Sequence, residues 1–155
     1  MTRLCAFLLL SASMARAQAP SADALDLAHV CQIEAGFSAP DCAAVYWIGV
    51  KRGKARDQSP LDALRAYSVP YRTNTARAAR IKAWPWSDIP GATARINRKW
   101  RAQRSLAVRL LRDEIPDPCP EATEWNDRNS QPRGRMVRVC IGLTANNLYS
   151  VEARK

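Results

Sequence analysis

The stretch Ala22-Asp23-Ala24-Leu25-Asp26-Leu27-Ala28-His29-Val30-Cys31-Gln32-Ile33-Glu34-Ala35-Gly36 sets the fold class. Leu27, Val30, Cys31 and Glu34 recur at i, i+3, i+4 and i+7, so the spacing predicts a helix from Ala22 to Ala35. Gly36 is placed to end it. A carboxylate on the apolar row is the unusual feature, because burial disfavours the charged form of such a group. That property suits a general acid that protonates a glycosidic oxygen. The plainer alternative is that Glu34 lies at the helix end and pairs with an arginine.

Working outward, Ser38-Ala39-Pro40-Asp41 has the form of a capping box with proline in the first turn. It predicts a second helix from Pro40 to about Arg52, stopped at Gly53. Its density of Cys42, Ala43, Ala44, Val45, Tyr46, Trp47, Ile48 and Val50 predicts a central, largely buried element. Ser59-Pro60-Leu61-Asp62 repeats the capping pattern and starts a short helix to about Tyr67, which Val69-Pro70-Tyr71 should break. Ala76 to Ala83 reads as a turn or two of helix. The longest helix is expected from Ala92 to Glu114, with Ile96, Trp100, Ala107, Leu111 and Ile115 on its apolar face. Arg95, Arg98, Lys99, Arg101, Arg104, Arg109 and Arg112 fall on the other face. After the break at 116–120, Met136 to Leu143 reads as a strand that Leu148-Tyr149-Ser150-Val151 joins in a hairpin. The expectation is a mainly α (α+β) chain with a small C-terminal β-hairpin.

Composition narrows the chemistry. The 155 residues hold 24 Lys plus Arg, 14 Asp plus Glu, five Cys and one His. That length fits one domain with a true hydrophobic core. A single imidazole excludes sites that need two or three, such as His-rich zinc hydrolases. Residues 1–19 read as a secretory signal peptide, with Arg3, the apolar run from Leu4 to Leu10, and small-x-small patterns at Ala15-Arg16-Ala17 and Ala17-Gln18-Ala19. The run is too short to remain as a transmembrane anchor, and residues 20–155 are expected to form the single domain. Cleavage after Ala17 would leave a net charge of +8 and four cysteines, Cys31, Cys42, Cys119 and Cys140. Four exported cysteines point to two disulfides in one of three pairings. Cys31–Cys42 and Cys119–Cys140 are preferred because each closes a local unit. A periplasmic or secreted location follows.

The segment Asp26 to Gly36 resembles the opening of the spore-cortex-lytic-type cell-wall hydrolases, in which a Leu-Ala…Glu-Ala helix carries the catalytic Glu. Ala43-Ala44-Val45 through Arg52 is similar to the next helix of that family. Asp117-Pro118, Ala122-Thr123, Ile141-Gly142 and Leu148-Tyr149 resemble, in order, its C-terminal turn and strand. The resemblance implies a lysozyme-like fold and a muramidase or lytic transglycosylase reaction. Glu34 would act as acid and then base through an oxocarbenium-like intermediate.

Trp84-Pro85-Trp86, Tyr67, Tyr71 and Trp125 are candidates for stacking on sugar faces, against the alternative that some cover the core. Asp41 is better explained as a helix-capping carboxylate than as a second catalytic one. His29 lies five positions from Glu34, off its face, and reads as a packed or surface residue. No C-x₂-C pair supports zinc, so no metal and no cofactor are expected. No phosphate-loop, dinucleotide or nucleophile-elbow motif is present. The expected partners are peptidoglycan glycan strands and other anionic envelope polymers, with no nucleic acid. The competing class is a non-catalytic envelope protein that binds the same polymers.

Overall fold

Each helix among the described residues starts on a hydroxyl. Ser21, Ser38, Ser59, Ser68, Thr75 and Thr93 each accept a hydrogen bond from the backbone N–H three residues on, satisfying one otherwise unpaired donor. The computed structural model describes residues 21–126, 136–141 and 147–151. The expected signal peptide lies outside them. The helices are α1 (Ala22–Ala35), α2 (Ala39–Arg56), α3 (Pro60–Tyr67), α4 (Val69–Arg72), α5 (Ala76–Lys82) and α6 (Ala94–Leu111). The strands are β1 (Glu124–Asn126), β2 (Met136–Val139) and β3 (Asn147–Val151), which form an antiparallel sheet in the order β1-β3-β2.

The mainly helical architecture with a small C-terminal sheet agrees with the sequence. Several boundaries differ for local reasons. Gly53 does not stop α2, which continues for another turn to Asp57, a residue in the left-handed conformation with φ 54°. Glycine is needed at 53 for close approach instead: a Cβ there would meet the Gln58 carbonyl oxygen at 2.7 Å. Pro70 does not end helical structure, because Ser68 caps a fresh turn in which proline occupies the early position it tolerates. Thr93 moves the start of α6 to Ala94, and β2 ends at Val139 because Cys140 turns with φ 50°. The expected hairpin gains a third strand: β1 pairs with β3 through Trp125 and Leu148.

The core centres on α1 and α2, the second as buried as its apolar density predicts. Ala24, Leu27, Ala28, Val30, Cys31 and Ile33 are all buried, so α1 has no single apolar stripe. It packs against α2, α3, α4, α5 and α6. The inner face of α6 is also rotated from expectation: Asn97, Trp100, Gln103, Arg104, Ala107 and Leu110 are buried, while Ile96 and Leu111 are half-buried. Arg104, expected on the outer face, therefore points inward, on the same row as Trp100 and Ala107. Both preferred disulfides are present, with Cα separations of 4.9 Å for Cys31–Cys42 and 6.1 Å for Cys119–Cys140. The first ties α1 to α2, and the second ties β2 to the turn before β1. No helix among the described residues is long and apolar enough to cross a membrane.

Candidate active site around Glu34

Glu34 sits in the last turn of α1, half-buried, where the α3–α4 elbow and β1 converge. The Ser68 hydroxyl donates to its Oε1. The Trp125 indole N–H donates to its Oε2 at 3.1 Å. Ser68 is 1% exposed and also caps α4, accepting from the Tyr71 N–H at 3.2 Å. The hydroxyl that starts a helix thus fixes one oxygen of the carboxylate.

Trp125 is held by the C-terminal half of α2. The Lys51 ammonium donates to the carbonyls of Cys119 at 3.0 Å and Ala122 at 2.8 Å, and pairs with Asp117 at 2.7 Å. One residue on, Arg52 donates to the Thr123 carbonyl at 3.0 Å and pairs with Glu124. Its guanidinium carbon lies 3.2 Å from the centre of the Tyr67 ring and 5.3 Å from Trp125, a cation between two π faces. Arg56 extends the layer by donating to the Tyr67 hydroxyl at 2.7 Å. Burial pulls the Arg52 guanidinium below its ordinary value against the hydrogen bond and charge of Glu124, yet arginine keeps its proton. Sequence reasoning saw Arg52 only as a helix end. The signal for its role was Lys51-Arg52 at the end of an apolar helix facing the carboxylates of Asp117 and Glu124.

The expected aromatic groove divides. Tyr67 and Trp125 belong to the Glu34 neighbourhood. Tyr71 is joined to it through its backbone on Ser68, but its hydroxyl donates to Asp26, which also binds Arg65. Burial, then the hydrogen bond and charge of Asp26, push the Tyr71 phenol up to about 12, so it remains an O–H donor. Trp84 stacks on Phe37 and meets Trp100 edge-on, with ring centres 6.4 and 5.3 Å apart. Trp86 has Arg104 over its ring at 5.3 Å.

His29 is buried and stacked on Trp100 at 5.6 Å. Its Nε2 lies 2.9 Å from the Trp84 carbonyl, and a carbonyl only accepts, so the neutral ring donates from Nε2. Burial lowers its pKa, the Trp84 carbonyl opposing. Asp41 lies buried in the first turn of α2. Among the described residues the one group with metal-ligand spacing is Cys119, Glu121 and Cys140, and its two sulfurs are joined as a disulfide. No protein-family model, curated protein or solved structure gives a match to this chain.

Proposed function

We propose that this chain is an exported, lysozyme-like hydrolase, periplasmic or secreted, that cleaves the glycan strands of peptidoglycan with Glu34 as its single acid/base. The observation that carries the reading is the Glu34 carboxylate itself, half-buried where three elements meet and oriented by Ser68 and Trp125. The two donors fix the direction of the carboxylate, and in this reading it passes a proton to a glycosidic oxygen. As the C–O bond breaks, positive charge builds on the anomeric carbon and ring oxygen, and the ionised Glu34 stabilises it. Glu34 then takes a proton from water, giving a muramidase, or from the sugar's own hydroxyl, giving a transglycosylase. Tyr67 and Trp125 supply aromatic surface beside the carboxylate for the sugar rings.

One observation favours the non-catalytic reading: both oxygens of Glu34 already accept from the protein, as a purely structural carboxylate would. Purified sacculi decide between the two. Wild type is expected to release muropeptides and Glu34→Gln to lose at least about a hundredfold of that rate, the worth of a general acid. Equal release by the two proteins, or sacculus binding with release by neither, would overturn the hydrolase reading.

A further inference from the structure

Charge is unevenly distributed along the chain. Between Arg72 and Arg112 there are nine Arg and two Lys against one acid, Asp88. On α6 these cations form one stripe. At 100° per residue, Arg95, Arg98, Lys99, Arg101, Arg109 and Arg112 fall on the face opposite Trp100 and Ala107, and all six are exposed. Ala94, Ala102 and Ser105, all small, are the other exposed residues on this face, and half-buried Leu106 falls between Arg95 and Lys99. Asp88 engages Arg101 at 3.2 Å, and Glu114 engages Arg109 at 3.5 Å and Arg112 at 3.8 Å. Among the described residues no ion pair reaches Arg95, Arg98 or Lys99.

We propose that the outer face of α6 is a docking surface for a linear phosphodiester polymer of the cell envelope. The stripe runs about 25 Å along the helix, at 1.5 Å per residue. Six cations over that length match a chain charged at every repeat better than one charged at every second sugar. Arginine predominates, and its planar fork binds phosphate oxygens two at a time. The small side chains between the cations let a polymer backbone come close. A membrane surface fits less well: interfacial helices place large apolar residues against the bilayer. Among the described residues the exposed large apolar ones, Val69, Val137 and Ile141, all lie off α6. The preference for an envelope polymer over nucleic acid rests on the export reading. The surface itself does not involve Glu34.

The test is binding of poly(glycerol phosphate) to the leaderless protein across a salt series. Arg95→Gln/Arg98→Gln/Lys99→Gln is expected to weaken binding at least about tenfold and to flatten the log Kd against log salt slope by two to three, by counterion release. Lys54→Gln/Arg72→Gln/Arg80→Gln removes three exposed cations from other helices and should weaken binding about twofold through net charge alone. Arg95→Lys/Arg98→Lys keeps the charge and the helix but loses the forks, and should weaken binding about threefold. Glu34→Gln should bind as wild type does, which separates this surface from the hydrolase. Equal losses from the two triple variants would overturn the proposal. So would tighter binding to single-stranded DNA, hyaluronate or phosphatidylglycerol vesicles at matched charge.

Discussion

Two groups of aromatic rings lie on either side of α1, and they are built differently. Around Glu34, Tyr67 and Trp125 enclose the Arg52 guanidinium, and Trp125 also donates to the carboxylate. Every ring there has a charged neighbour. Around Trp100, the rings of His29, Trp84 and Phe37 lie mainly against one another, Arg104 and Lys99 come no nearer to Trp100 and Phe37 than 6.0 and 5.6 Å, and the ring N–H groups meet backbone carbonyls: His29 on Trp84, and Trp100 on Pro85 at 2.9 Å. The first arrangement fixes the direction of charged groups. The second excludes water. Rings of similar size therefore do separate work, according to what their polar edges find.

The contrast breaks most visibly at Trp100, which is 0% exposed. Trp100→Ala is expected to cost about 3–5 kcal/mol, read from urea unfolding, because it opens a ring-sized cavity under α1. Next in size is Arg52→Met. It leaves Glu124 without its partner and the two flanking rings without their cation. Since Glu124 is 27% exposed, solvent softens the loss to about 2–3 kcal/mol on the same measurement. A smaller and more selective effect is expected of Trp125→Phe, which keeps a ring but removes the donor to Glu34. Sacculus clearance should fall about tenfold while stability moves by less than about 1 kcal/mol. The same change at Trp84 should leave clearance unaltered, and equal effects at the two positions would erase the distinction between the groups.

The smallest expected effect is a pH dependence. Burial holds the folded His29 below the ordinary imidazole value of 6.5. Between that value and the lower folded one, the unfolded chain binds the extra proton, so stability falls as pH drops through this window and levels off below it. Because the protein has one histidine, its one pair of imidazole C–H resonances reports the folded titration directly. His29→Gln should remove this part of the pH dependence of unfolding. A resonance that titrates at or above 6.5 would contradict the buried, neutral ring.

How much of this was legible in the sequence depended on distance along the chain. Helix starts at Ser38 and Ser59 were readable because a cap and its partner lie three residues apart. The disulfide pairing followed from local closure. Gly53 and Pro70 misled because each is a breaker in isolation, and only tertiary context shows Gly53 making room for the chain at Gln58 and Ser68 restarting a helix. The three residues of β1 are too few to show a period, and pairing with β3 alone makes them a strand. Glu34 was legible as a charge out of place, but its two donors were not. Ser68 reads as a helix-boundary serine, and Trp125 as one more aromatic in a loop. The rotation of α6 that buries Arg104 reflects packing against α1, where Trp86 and Trp100 receive its guanidinium.

The span between Glu34 and Trp125, 91 residues, bears on the entropic cost of completing the site. The α1–α2 disulfide closes over 11 residues and the Ser68 contact over 34, so both close at a smaller entropic cost than the indole contact. The indole is seated by β1, which pairs with β3, with Lys51 and Arg52 securing the strand from behind. A nascent or truncated chain that ends before β3 would carry the carboxylate and the hydroxyl but lack the strand that seats the tryptophan. Completion of the site is thereby tied to formation of the sheet.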